Sequence, residues 1–302
     1  MKKLNVILSF TLSSAICASF AADDPKIASY SLGYMTGNNI SQYLTQNPDI
    51  DTTEYTSGIN AALTNLKPKL SQEQMQTAIQ AFQESMMAKQ QAEKIEKVLE
   101  NKTQLLITES PAVGPKDAKV VVIEFYDYQC IFCSLVSPAI EQIMDNNKDV
   151  KFIFMDDPIF AQRWPASNYA AEVGLVAYKQ GGPDMFIKYH DAIFNSGKNE
   201  GNLLNADIDQ IAKDNKIDLA NPETKALLTG GKKVPAAIQD NIKLAQELRF
   251  SGTPAIIVMP TVNATKDNVT VFSGFPGNPR ENPTGSSAKA IQAAIDKASG
   301  SK

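Results

Sequence analysis

Apolar residues recur along this chain in two rhythms, with a change near residue 103. From Lys26 to Lys102 the recurrence is helical. Ile27, Tyr30, Tyr34, Met35 and Tyr43 give an irregular stripe, interrupted by Gly33 and Gly37, and Asn47-Pro48-Asp49 ends it. A second short helix is predicted from about Thr53 to Leu66, stopped by Lys67-Pro68. Ser71 and Gln74 form a capping box for a third helix, on which Met75, Ile79, Phe82 and Met86 recur at helical spacing. Neither Gly nor Pro intervenes before Lys102, so this helix would extend about 48 Å at 1.5 Å per residue. Past Met86 the residues turn polar (Lys89, Gln90, Gln91, Glu93, Lys94, Glu96, Lys97), which predicts a solvated distal half. Three such helices bury their apolar faces poorly alone, and the expected cover over residues 26–102 is a second copy of the chain, the alternative being a monomeric helical cap on the next domain.

Pro111, Gly114 and Pro115 mark a join between Thr103 and Ala118. The rhythm then becomes that of a sheet. Val120-Val121-Val122-Ile123-Glu124-Phe125-Tyr126 is fit for a buried strand, Cys130 to about Asn146 for a helix, and Val150–Met155 for a second strand. A strand–helix–strand order with a short crossover predicts parallel pairing. From Trp164 to about Leu248 the pattern is helical again, broken at Gly181-Gly182-Pro183, Asn221-Pro222 and Gly230-Gly231. Strands return at Ala255–Met259 and Val269–Ser273, and a last helix is expected from about Ser286 to Ala298. The expectation is an all-α domain over residues 22–102, then an α/β domain over 103–302 with helices inserted at about 160–248.

The first 21 residues read differently. Met1-Lys2-Lys3 is basic, Leu4 to about Phe20 is mostly apolar, and Ser19, Ala21 and Ala22 are small. That is the order of a secretory signal peptide cut after Ala21, and it predicts export to the periplasm or cell envelope. The apolar run falls short of the roughly 20 residues of a spanning helix. Lipidation of Cys17 is opposed by bulky Ile16, where a small residue is wanted. Loss of Lys2 and Lys3 takes the formal charge from −4 to −6, which argues against a nucleic-acid partner.

Cleavage also reduces three cysteines to two, Cys130 and Cys133. Staples in an exported protein are spread to close long loops, so a single pair two residues apart points to reactivity. Cys130 would stand at a helix N-terminus, where unpaired N–H groups and the helix dipole favour thiolate. Cys133 lies one turn inside, close enough to close a disulfide. A zinc site would need two further ligands, and the mature chain offers only His190 besides carboxylates. Haem attachment would need histidine where Ser134 stands. No metal or cofactor is expected. Glu124 is a carboxylate in an otherwise apolar strand, where burial raises its pKa.

Two resemblances add to this. Tyr30-Ser31-Leu32-Gly33-Tyr34, with Ser71–Met75 and Phe82–Lys89, looks like the N-terminal region of Mip-type FKBP prolyl isomerases. That implies homodimerisation and a long helix leading to a second domain. The FKBP catalytic domain is not recognisable downstream, so prolyl isomerisation is not implied. Ile123 through Cys133 resembles the active-site segment of the DsbA family of exported thiol oxidoreductases. Ser251-Gly252-Thr253-Pro254-Ala255 resembles that family's cis-proline loop, and the helical block matches its insertion. The implied fold is thioredoxin-like with an inserted helical domain. By the same resemblance Cys130 attacks, Cys133 resolves and Glu124 is the buried acid beside the second cysteine. Lys151 matches a basic residue able to pair with that acid. Pro254 is the cis-proline, Thr253 pairs its backbone with an extended substrate, and Ile131 and Phe132 contact the substrate.

One departure matters: many family members carry Pro-His between the cysteines, and here the dipeptide is Ile131-Phe132. With no donor or charge there, a less depressed Cys130 pKa and a less oxidising couple are expected. Threonine before the proline resembles the exported isomerases. The implied partners are unfolded or misoxidised exported proteins and a membrane redox partner, DsbB-like for an oxidase or DsbD-like for an isomerase. The competing reading is a chaperone or surface binding protein that uses the dimer cleft, with the cysteine pair secondary.

Overall fold

The computed structural model describes residues 24–300; the expected signal peptide and Cys17 lie outside the described residues. The chain divides into two compact units, with the boundary between Ile79 and Gln80.

The first unit is helical. Helix α1 (Pro25–Gln46) starts at Asp24, whose side chain accepts from Lys26 N at 2.8 Å. It runs unbroken through Gly33 and Gly37, because an isolated glycine costs a helix only about 1 kcal/mol and leaves every backbone donor in place. Helix α2 (Thr52–Leu63) is capped by Asp51, which accepts from Glu54 N at 2.9 Å. It ends three residues short of the expected stop, and Asn65 turns the chain at φ 55°. Both halves of the capping box form at the head of α3 (Gln72–Glu100): Ser71 N donates to Gln74 Oε1 at 2.9 Å, and Gln74 N to Ser71 Oγ at 3.2 Å. In this unit Leu44 is the one described residue that is buried. Tyr30 and Leu63 are 74% and 79% exposed, and Leu32, Tyr34, Leu66 and Ile79 are each more than half exposed.

The distal half of α3, which belongs to the second unit, is not solvated as its polarity suggests. Ile95 and Leu99 pack beside fully buried Val98, together with Leu105 of α4 (Lys102–Leu106). Gln91 Nε2 donates to Val271 O at 2.7 Å, Glu93 pairs with Arg249 at 3.0 Å, and Glu96 pairs with Lys266. Three apolar residues on one face suffice to dock this stretch, while the polar majority points outward or bonds across.

The sheet that receives it has five strands in the order β1-β3-β2-β4-β5. They are β1 (Ala112–Val113), β2 (Val120–Tyr126), β3 (Lys151–Asp156), β4 (Ala255–Pro260) and β5 (Thr270–Ser273). β2 and β3 run parallel and the other pairings are antiparallel. The two-residue strand β1 lies in the stretch read as a mere join. Strand alternation sends Val121, Ile123 and Phe125 of β2 towards α3, α4 and α8 (Ala236–Glu247). Val120, Val122 and Tyr126 face α5 (Ile131–Asn146), α6 (Ala166–Asn195) and α9 (Pro283–Ser299). Both faces of the sheet are thus covered, which is why β2 is apolar throughout except at Glu124. The helical block, α6, α7 (Asn205–Asp214) and α8, stands between β3 and β4. α6 kinks at Gly182 (φ 64°), ahead of Pro183. The architecture is a thioredoxin-like fold with inserted helices, preceded by a helical domain. Among the described residues, no helix is long and apolar enough to cross a membrane.

Candidate active site

β2 delivers the chain to the rim of the sheet at Tyr126, and residues 127–130 turn it into α5. Cys130 N donates to Asp127 O at 2.9 Å, closing the turn. Cys130 is the N-cap of α5, in extended conformation, and Cys133 lies within its first turn. Both are free thiols, and both are buried. Cys130 Sγ lies 3.3 Å from Thr253 O, which accepts from the thiol, and the Thr253–Pro254 peptide is cis. Antiparallel pairing of β4 with β2 brings this loop beside the cysteine. Ile131 and Phe132 stand half-exposed at the rim, and the Phe132 ring meets Phe275 at 6.2 Å between centroids.

The two sulfurs differ electrostatically. The Cys130 thiol is lowered from the ordinary 9.0 to about 7, chiefly because its thiolate receives a hydrogen bond from Cys133. Burial opposes this, while contact with Thr253 and the backbone N–H groups of Cys133 and Phe132 support it. Cys133 is pushed well up, first by complete burial, then by its bond to Cys130 and by the negative charges of Cys130 and Glu124. Ionisation is thus favoured at Cys130 and disfavoured at Cys133.

Glu124 lies on the same face of β2 as the cysteines, opposite Phe154 of β3 and Ile256 of β4. Neither carboxylate oxygen has a hydrogen-bond partner among the described residues. Burial, then the charge of Cys130, raises its pKa from 4.5 to about 8. Lys151 does not pair with it. Lys151 stands opposite Val121, an odd number of positions from Phe154, so alternation places its side chain on the other face of the sheet.

Sequence reasoning singled out neither Asp127 nor Gln129, and considered His190 only as a metal ligand. Asp127 accepts from Gln129 N (2.8 Å), Phe160 N (2.9 Å) and Ser167 Oγ (2.7 Å). Gln129 Nε2 donates to Leu203 O at 2.8 Å, and its Oε1 accepts from Gly201 N at 2.9 Å. His190 is enclosed by Tyr126, Tyr128, Phe154, Phe186 and Phe194, with Nδ1 3.2 Å from Tyr128 Oη. Burial lowers its pKa to about 3, so it stays neutral. Asp156 nearby is raised by burial and has one buried oxygen without a hydrogen-bond partner among the described residues. The only sequence signal for these groups was polarity inside apolar runs. Among the described residues, no cluster of three or more His, Cys, Asp or Glu could hold a metal ion.

Residues 106–273 match a family described as thioredoxin, and residues 26–110 match the domain amino terminal to FKBP-type peptidyl-prolyl isomerase. The crystal structure of BcfH from Salmonella enterica Typhimurium shares 30% identity, covers 86% of this chain and 99% of its own, and superposes with a TM-score of 0.66. The thiol-disulfide exchange protein α-DsbA2 of Wolbachia pipientis, at 22% identity, covers 70% of this chain and 97% of its own with a TM-score of 0.53, a likeness of fold. Disulfide bond formation protein D of Bacillus subtilis is 33% identical over 88 residues, which are 28% of this chain and 38% of that protein. The chain spans only 21% of the length of the curated Na(+)/H(+) antiporter NhaA 3 of Salinispora tropica, with which it shares 26% identity over 145 residues, 48% of this chain. The chain belongs to the thioredoxin family, and carries an N-terminal domain of the kind that precedes FKBP-type prolyl isomerases.

Proposed function

We propose that this chain is an exported thiol–disulfide oxidoreductase that forms or isomerises disulfides in proteins of the periplasm or cell envelope, acting through a mixed disulfide at Cys130. The observation that carries the reading is the opposed behaviour of two sulfurs in one helical turn, Cys130 lowered to about 7 and Cys133 raised. An attacking thiol is most effective with a pKa near ambient pH.

The exchange balances without a cofactor. The Cys130 thiolate attacks one sulfur of a substrate disulfide; that S–S bond breaks, a mixed disulfide forms, and the departing thiolate takes a proton. Cys133 then gives up its proton and attacks Cys130 Sγ, releasing the second substrate thiol and leaving the pair oxidised. Run in reverse, the same steps pass a disulfide to a substrate dithiol. In isomerisation a substrate thiol replaces Cys133 as the resolving group. Glu124, with a pKa of about 8, suits the transfer of the Cys133 proton. Thr253 and Pro254 would line the substrate strand, and Ile131 and Phe132 would meet its apolar side chains. A less oxidising couple than in the Pro-His relatives, and hence isomerase or reductase character, agrees with a thiol near 7.

The exposed apolar face of the first unit supports self-association of copies of this chain, a homodimer being the smallest assembly. Working sites in pairs or more would let two sulfurs meet one misfolded substrate. Such an enzyme needs misoxidised exported proteins as substrates and a membrane redox partner, DsbB-like or DsbD-like. Insulin reduction and refolding of scrambled ribonuclease test the reading on wild type, Cys130→Ser and a chain begun at Gln80. Cys130→Ser is expected to lose both activities, and the shortened chain to lose isomerisation first. Retention of both by Cys130→Ser would reject the redox assignment.

A further inference from the structure

The segment just before the nucleophile is held by the helical block rather than by the sheet. Asp127 and Gln129 are both essentially inaccessible, at 2% and 0% exposure. The Asp127 carboxylate gathers Phe160 N, ahead of α6, and Ser167 Oγ within α6, along with Gln129 N in its own turn. Gln129 grips the loop before α7 three times: its backbone O accepts from Glu200 N at 2.9 Å, Oε1 from Gly201 N, and Nε2 donates to Leu203 O. Gly201 sits at φ 94°, and a Cβ there would stand 2.6 Å from Trp164 Nε1, so the loop has no room to retreat. Gln129 suits this place because one side chain must both donate and accept.

We infer that Asp127 and Gln129 are positioning residues that set the reactivity of Cys130 by pinning the turn before it to the helical block. This rests on the proposed role of Cys130 as nucleophile. The backbone N–H groups of Phe132 and Cys133 favour the Cys130 thiolate, and the Thr253 carbonyl receives the proton of its thiol form, only while the turn is held against them. The inserted helices then have a chemical role, beyond roofing the site. A family member with a different block would have a different thiol, even with the same four residues from cysteine to cysteine.

The test is the pH profile of iodoacetamide alkylation at Cys130, read by peptide mass mapping on the reduced full chain. Wild type, Gln129→Met, Asp127→Asn and a control, Ile208→Ala, are compared, each with its melting temperature. Ile208 is fully buried in α7 and takes part in none of the hydrogen bonds that tie Asp127 and Gln129. Gln129→Met keeps the bulk and loses the side-chain bonds; it is expected to raise the Cys130 pKa by about 1, a roughly tenfold smaller thiolate fraction at pH 6. Asp127→Asn separates pinning from charge. Removal of a negative charge alone would lower the thiol's pKa, whereas loosening of the turn raises it, and a rise is expected. Ile208→Ala is expected to lower the melting temperature and leave the profile in place. Variants that melt early like the control but keep the wild-type profile would overturn the inference, as would a fall for Asp127→Asn. If one variant does not fold, the other decides. A wild-type Cys130 titrating near 9 would instead defeat the functional reading itself.

Discussion

Replacing Glu124 by glutamine keeps the side chain's shape and removes its ability to ionise. In the native protein this carboxyl is 2% exposed, has no hydrogen-bond partner among the described residues and titrates at about 8, against an ordinary 4.5. That separation corresponds to about 5 kcal/mol between the protonated and ionised forms. Its sign follows from proton binding. Between the two pKa values the native state holds a proton that the unfolded state has released, so stability falls as pH rises. The contribution is fully present below 4.5 and is lost as pH climbs through 8. Relative to Glu124→Gln, the reduced wild type should lose about 4 kcal/mol of stability between pH 4.5 and 8. Urea denaturation of the two proteins, each reduced, at half-unit steps over that range gives the difference with the titrations uncoupled from Glu124 cancelled. The same variant should slow resolution of a mixed disulfide by Cys133, since the buried carboxyl whose charge acts on that thiol is gone. A stability difference constant across pH 4.5–8 would show that Glu124 is not a buried, proton-holding acid, and the reasoning would fail.

Further outcomes follow from other parts of the molecule. The chain contains one histidine, so its imidazole proton resonances are unambiguous. With His190 lowered to about 3 by burial, they should not shift between pH 5 and 8, and a midpoint near 6.5 would contradict the enclosed ring. Leu105→Ala removes a fully buried side chain where α4 meets the sheet and should cost about 3 kcal/mol by urea denaturation. A cost under about 1 kcal/mol would mean that this face is not packed as described. The double variant Tyr34→Glu and Leu63→Glu places charge on the exposed face of the first unit. Light scattering should show the wild type as an assembly and the variant as a monomer, while a chain already monomeric in the wild type would remove the case for self-association. Thr253→Val should be tolerated within about 1 kcal/mol in stability, because the buried hydroxyl has no hydrogen bond of normal geometry among the described residues, yet it should raise the Cys130 pKa, which this side chain helps to lower. A large loss would assign a role to the hydroxyl.

Much of the fold was legible because its signals are local. The β-branched run of β2, the Ser71–Gln74 box and the Gly182-Pro183 break each depend on a few neighbouring residues, and each forms. The place of the cysteine pair was legible in the same way, since a strand that ends just before Cys130 and a helix that starts just after it are both local patterns. What escaped depends on distant partners. The distal half of α3 reads as polar, and only the tertiary placement of Ile95, Val98 and Leu99 against the sheet makes it a docked element. Lys151 looked able to pair with Glu124 until register and alternation put them on opposite faces. Asp127 and Gln129 carry no signal of their own, because Leu203 and Gly201, which Gln129 grips, are more than 70 residues away. Strand β1 is too short for any pattern and exists by pairing with β3.

The central claim is that Cys130 forms the bond to substrate and Cys133 breaks it. Trapping tests this directly: reduced Cys133→Ala and Cys130→Ala proteins are each mixed with a disulfide-bonded substrate, quenched with acid and analysed by mass spectrometry. The account predicts a mixed disulfide on Cys130 in the Cys133→Ala protein and none in the Cys130→Ala protein. Equal trapping through Cys133, or no adduct on either, would contradict it.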